Sequence, residues 1–208
     1  MRYFIQATLV SIMVFLCAPA ASQTFKEGVH YDVIDGVDQA NDDGLVEFYS
    51  LYCSYCYRYE PIADAMKTAF ADQFSKVHVA SVAPSPEAGS TITRAYILAQ
   101  KMDIAEKINR VMFDYNFKKG HLLREPEDIR NVFIVNGIDG QTFDKGIASF
   151  AVTARFNQWQ RLIDKLGVRA TPTFVVNGKY RINPTSLRDS DDLTASLINL
   201  AGYLLEKE

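Results

Sequence analysis

Residues 45–56 read Leu45-Val46-Glu47-Phe48-Tyr49-Ser50-Leu51-Tyr52-Cys53-Ser54-Tyr55-Cys56. Leu45–Tyr49 has the near-continuous apolar character of a strand with both faces covered. From Cys53 the period changes. Cys56, Tyr59, Ala63, Met66 and Phe70 recur at spacings of three and four, which predicts a helix over Cys53–Phe70, kinked at Pro61. The C-x-x-C therefore falls where a strand hands over to a helix. Three residues apart on one helix face, the two sulfurs can close a small disulfide ring. Cys53 sits at the helix N-terminus, where unpaired N–H groups and the positive end of the dipole favour a thiolate. Cys56, a turn further in, is more buried and keeps a normal or raised pKa. That asymmetry marks Cys53 as the exposed nucleophile and Cys56 as the resolving thiol. A structural disulfide and a metal site are the competing readings of the pair. Tetrahedral zinc wants four ligands, and His30, His78 and His121 stand at no matching spacing.

On the N-terminal side, His30–Ile34 reads as a first strand. After the helix, Val77–Val82 reads as a third, and strand–helix–strand order points to a right-handed parallel crossover. From Pro84 to Leu166 the pattern is helical, with candidate helices Thr91–Met102, Ile104–Phe117, Glu125–Asn136, Gln141–Ser149 and Val152–Leu166. Strands return at Thr173–Val176 and Lys179–Ile182, joined by the hairpin pair Asn177-Gly178. Leu193–Leu205 closes the chain as an amphipathic helix capped near Ser190. The fold class is α/β: one domain over 24–83 and 167–208, interrupted by an all-helical insertion over 84–166. A proline entering a central strand cannot donate to its ladder, so Pro172 ahead of Thr173–Val176 predicts a cis Thr171–Pro172 bond.

The whole chain has 208 residues, 48% hydrophobic and 23% charged, enough to bury a full core without disulfide staples. Its formal charge is −3, with no basic concentration that would suit nucleic acid. A mean hydropathy of −0.07 excludes a polytopic membrane protein. Met1-Arg2, an apolar run from Tyr3 to Cys17 and the A-x-A pattern Ala18-Pro19-Ala20 read as a cleaved secretory signal over 1–20. The run is shorter than the roughly 20 residues of a spanning helix. A lipoprotein cut at Cys17 would want a small residue where Leu16 stands. Removal of the signal takes the charge to −4 and leaves Cys53 and Cys56 as the cysteines, in an exported compartment where disulfides persist.

The strand, the C-x-x-C at a helix start, the helical block and Thr171-Pro172 before Thr173-Phe174-Val175-Val176-Asn177-Gly178-Lys179-Tyr180 together resemble the DsbA family of periplasmic thiol:disulfide oxidoreductases. Asp128-Ile129-Arg130-Asn131-Val132-Phe133 adds to the match. The resemblance implies a thioredoxin-like domain with a helical insertion. It also implies a cis-proline loop, Thr171-Pro172, that faces the cysteines and receives the substrate backbone. It implies a protein dithiol oxidase without a cofactor or metal, acting on exported polypeptides with free thiols. Reoxidation would come from a quinone-linked membrane partner of the DsbB or DsbI type. For DsbA itself the thiolate pKa is about 3.5 and the potential about −120 mV, against about −270 mV for thioredoxin, values that belong to those proteins.

Two departures stand out. The best-known members carry Pro-His between the cysteines, where this chain has Ser54-Tyr55. Tyr55 cannot become cationic, so the thiolate at Cys53 must rest on the helix terminus and nearby donors, and Tyr55 shapes access to it. The family also pairs a buried glutamate with a lysine. Glu47 matches the glutamate, whereas Val77–Val82 offers Ser81 where the lysine is expected, so Glu47 should have a raised pKa and act as a proton carrier. Phe48, Tyr49, Tyr52, Tyr55, Tyr57 and Tyr59 divide between core and an apolar surface for unfolded chains. A dedicated oxidase of the DsbL type with few clients, and a thiol enzyme poised as a reductase or isomerase, are the alternative functions. From another class, a thiol-bearing metal- or peptide-binding module without redox turnover competes with all of these.

Overall fold

In the computed structural model, which describes residues 24–34 and 44–207, Leu45–Tyr49 forms a strand (β2) inside a five-stranded mixed sheet. The segment read as a signal, 1–20, lies outside the described residues. The sheet order is β1-β5-β4-β2-β3, from β1 (Tyr31–Val33), β5 (Tyr180–Ile182), β4 (Thr173–Val176) and β3 (Phe74–His78). β3 runs parallel to β2, and every other pairing is antiparallel. The pairing of β2 with β3 sets Glu47 opposite Lys76 and Tyr49 opposite His78.

β3 lies earlier than the Val77–Val82 run predicts, and the chain beyond His78 explains why. Val79 N–H still reaches Tyr49 O at 2.8 Å, but then the backbone turns out of the sheet. Ser50 Oγ donates to Val82 O at 2.7 Å, and Gly89 packs so closely on Ala80 O that a Cβ there would collide with it. Residues 80–82 thus serve as a shelf between sheet and helix rather than as strand.

Helix α1 (Ser54–Phe70) continues through Pro61 without a break. Among the described residues, five α-helices lie between β3 and β4: α2 (Pro86–Lys101), α3 (Ala105–Phe113), α4 (Pro126–Val135), α5 (Gly140–Ile147) and α6 (Phe150–Lys165). α2 begins five residues before the expected Thr91, because Ser85 Oγ accepts from Ala88 N–H and Pro86 is suited to the first turn. α3 passes into a π-helical turn, Asp114–Lys118, so a single expected helix is two pieces. Asn177 and Gly178, both at positive φ, form the turn between β4 and β5. The last helix, α7 (Leu193–Leu205), is capped by Asp192 rather than Ser190; the Asp192 carboxylate accepts from Ala195 N–H at 2.9 Å.

Strand alternation divides the core. Phe174 and Val176 point to one face, where Ile62 and Met66 of α1 meet Leu197, Leu200 and Leu204 of α7. Phe48, Val77 and Val175 belong to a second cluster with Ile92, Ile108, Phe113, Phe133 and Trp159 from the inserted helices. β2 is thereby covered on both faces, as its apolar run requires.

Candidate active site

Four residues, Ser50-Leu51-Tyr52-Cys53, carry the chain from β2 to α1, and each is held by the surrounding fold. Leu51 N–H donates to His78 Nε2 at 3.0 Å, and Leu51 O accepts from Asn116 Nδ2 at 2.7 Å. Tyr52 OH donates to Leu123 O at 2.6 Å, and Cys53 N–H donates to Ser50 O at 3.0 Å. His78 is fully buried, and desolvation, followed by the charge of Lys76, pushes its pKa down to about 3. It is therefore neutral. Since Nε2 accepts, Nδ1 carries the proton and faces Thr93 Oγ1 at 2.6 Å, and Thr93 in turn donates to Gly89 O at 2.7 Å. The inserted helix α2 thus fixes the loop that presents Cys53.

Cys53 is the N-cap of α1. Its sulfur accepts from Cys56 N–H at 3.3 Å, where a serine or aspartate oxygen would ordinarily accept. Both cysteines are free thiols, Cys53 partly exposed and Cys56 fully buried. The Cys53 pKa falls from 9.0 to about 5. The hydrogen bond from the Cys56 thiol is the largest cause; burial opposes it, and hydrogen bonds with Thr171 and with the N–H groups of Cys56 and Tyr55 add to the lowering. The Cys56 pKa moves far upward, first through its hydrogen bond to Cys53 and then through burial. The Thr171–Pro172 bond is cis, and Thr171 O lies 3.3 Å from Cys53 Sγ. Ser54 and Tyr55 are both exposed.

Beneath the cysteines, Glu47 is completely buried in β2, and neither carboxylate oxygen has a hydrogen-bond partner. The lysine that faces it is Lys76, with Nζ 3.2 Å from Glu47 Oε2, and not a residue at the Ser81 position. The earlier placement of β3 is the reason. Lys76 Nζ also meets Glu60 Oε1 at 2.5 Å, and Asn109 Nδ2 donates to Glu60 Oε2 at 2.8 Å. Burial raises the Glu47 pKa from 4.5 to about 7 against the pull of Lys76, and the Glu60 and Cys53 charges push it the same way. Desolvation would lower the Lys76 pKa, but the two carboxylates hold it up.

A half-buried low-pKa thiol, a buried high-pKa thiol three residues on and an apposed Thr-Pro loop are the parts needed for thiol–disulfide exchange. Comparison with known proteins gives the same answer. The family described as a DSBA-like thioredoxin domain matches residues 80–195. The thiol:disulfide interchange protein DsbA of Pectobacterium carotovorum subsp. carotovorum is 30% identical over 204 residues, spanning 95% of this chain and 96% of the relative. The chain belongs to the DsbA family. DsbA of Haemophilus influenzae is 33% identical over 170 residues, spanning 78% of this chain and 79% of its own length. The crystal structure of DsbA from Klebsiella pneumoniae, 29% identical, superposes with a TM-score of 0.80 over 89% of this chain and 100% of that one. DsbL of Salmonella enterica serovar Typhimurium, at 21% identity and a TM-score of 0.68, shares the fold.

Like those DsbA relatives, this chain is a thiol:disulfide oxidoreductase with a thioredoxin-like fold. No helix among the described residues is long and apolar enough to cross a membrane. Sequence reading missed Lys76, Glu60, Asn109 and His78. A signal for Lys76 was present: it is the one Lys or Arg between Lys67 and Arg94, in the segment that follows α1.

Proposed function

We propose that this DsbA-family protein is a periplasmic disulfide donor whose Cys53–Cys56 pair oxidises exported polypeptides. The opposed shift of the two thiols is the observation that carries this reading. A thiolate stabilised at Cys53 favours the dithiol form and so makes the disulfide form oxidising. In the disulfide form, a client thiolate attacks Cys53 Sγ. The Cys53–Cys56 bond breaks, a client–Cys53 bond forms, and the electron pair leaves on Cys56. Cys56 sulfur then takes up a proton, which its raised pKa demands. Glu47 serves as the carrier for that proton: its pKa near 7 lets it hold or release one at working pH, with the Lys76 ammonium 3.2 Å from one of its oxygens. The client's second thiolate next attacks the client sulfur of the mixed disulfide and displaces Cys53 as a thiolate. Two electrons have passed to the enzyme, and the client leaves oxidised.

Thr171 and Pro172 bind the extended client segment beside Cys53, while Ser54 and Tyr55 shape the approach. A Proteus mirabilis DsbA that shares this fold has been crystallised with a non-covalently bound peptide, PWATCDS, and polypeptide clients for this chain fit that precedent. A DsbB- or DsbI-type membrane oxidase would restore the disulfide, and the reaction needs no cofactor.

The test is the redox equilibrium of the pair against glutathione, read by alkylation and mass. A Cys53 thiol held near 5, far below the 9.0 of an unperturbed cysteine, stabilises the dithiol form and raises the potential of the disulfide. The expected potential therefore lies well above thioredoxin's, on the side of the disulfide donors. A value near thioredoxin's, about −270 mV, would overturn the donor reading in favour of a reductase or isomerase.

A further inference from the structure

We propose that Tyr55 and Arg58 form a cationic lip beside Cys53 that selects client segments carrying an acidic side chain next to the reacting cysteine. The inference rests on the donor reading above and names the substrate class of that site.

Tyr55, the second residue between the cysteines, is 62% exposed, although its own N–H faces the Cys53 sulfur. One turn along α1, exposed Arg58 lays its guanidinium over the Tyr55 ring, 4.3 Å from the centroid. An exposed helical arginine commonly meets a carboxylate at a spacing of three or four. Here the first turn of α1 holds no acidic residue. Its first acid, Glu60, is turned inward to Lys76 and Asn109. Among the described residues no carboxylate forms an ion pair with Arg58. The guanidinium is thus fixed by an aromatic face rather than by a counter-ion, and its N–H donors remain available.

Position supplies the second half. Across from the helix, Thr171 O lies 3.3 Å from Cys53 Sγ, and a second exposed arginine, Arg169, stands two residues before Thr171. On this proposal a client cysteine that reaches Cys53 lies against the Thr-Pro loop and within reach of Tyr55, whose N–H faces the same sulfur and whose ring carries Arg58. An Asp or Glu next to that cysteine then meets a guanidinium already oriented, while a Lys there meets like charge. Because the pair is exposed, the discrimination is modest and sensitive to salt.

The experiment uses the mature oxidised protein and two dithiol peptides that are identical except for Asp or Lys on both sides of the first cysteine. Peptide oxidation is followed by mass at low salt. Wild type should favour the Asp peptide in kcat/KM by about three- to tenfold, the scale of one or two exposed charge contacts. Arg58→Glu should reverse the preference, and comparing the two enzymes cancels the peptides' own reactivity. Tyr55→Phe should keep the preference and Tyr55→Ala should lose most of it, because the ring positions Arg58. The preference should vanish in 0.5 M NaCl. Equal rates for the two peptides in wild type, a preference unchanged in Arg58→Glu, or one that survives 0.5 M NaCl would each overturn the inference. Failure of the wild type to oxidise either peptide would overturn the donor reading instead.

Discussion

Acidification should erase the stability that the dithiol form gains from Cys53. The folded-state pKa of this thiol, about 5, lies below the 9.0 of an unperturbed cysteine. A group depressed in the folded state stabilises it at high pH, and that stabilisation is lost as pH falls through the folded pKa. At pH 7 two decades separate the pH from the folded pKa, which corresponds to about 2.7 kcal/mol. The sulfur is only half-buried, so solvent screening reduces this to about 1–2 kcal/mol. At pH 4 nothing remains. The disulfide form has no thiol to titrate and lacks the effect altogether. Glu47 titrates in the same window with the opposite sign: its pKa is raised from 4.5 to about 7, so it costs stability increasingly as pH rises through that range. Its cost, on the order of 3 kcal/mol at pH 7, is present in both redox forms and largely cancels in their difference. The assay is urea unfolding of the dithiol and disulfide forms at pH 7 and pH 4. The advantage of the dithiol form should shrink by about 1–2 kcal/mol on acidification. A difference between the two forms that is constant across this range would refute the assignment of a low-pKa thiol to Cys53.

Other outcomes follow from the same geometry. Cys53→Ala should abolish client oxidation with the fold intact, while Cys56→Ala should still carry a client or glutathione on Cys53 as a mixed disulfide visible by mass. Glu47→Gln removes a buried carboxylate whose desolvation outweighs the pull of Lys76, so by urea unfolding it should be about 1–3 kcal/mol more stable than wild type at pH 8 and no more stable at pH 4. It should also slow client oxidation near pH 7 if Glu47 carries the proton for Cys56. His78→Ala leaves Leu51 N–H without its acceptor and opens a cavity, at a cost of about 2–4 kcal/mol by urea unfolding. Amide hydrogen exchange at Leu51 should accelerate by more than the global loss explains.

The parts of this site that could be read from the sequence are the local ones. Cys53 as a helix cap and Cys56 as its buried partner depend on a spacing of three residues and on a change of period, both contained within Leu45–Phe70. Pro172 ahead of β4 is equally local, because a missing N–H is a property of one residue. The π-helical turn at Asp114–Lys118 and the choice of Asp192 over Ser190 as a cap were not legible. In each case several local options satisfy the backbone, and packing decides among them.

The buried charges show where that limit lies. Lys76 sits in Phe74-Ser75-Lys76-Val77-His78, whose polar residues made the apolar stretch that follows look like the better strand. Yet Glu47 in the middle of an apolar strand cannot be left without a counter-charge, because an unpaired buried carboxylate is too costly. A cation therefore had to come from an adjoining element. The crossover that follows α1 supplies one lysine and no arginine before α2, so the demand made by Glu47 should have fixed β3 on Lys76 and moved the strand back three residues. Glu60 and Asn109 lie beyond even that reasoning, because they come from α1 and α3, whose meeting is set by helix packing over some 50 residues. A lone acid in an apolar strand is thus a constraint on the register of its neighbours, stronger than the hydrophobic pattern of the neighbours themselves.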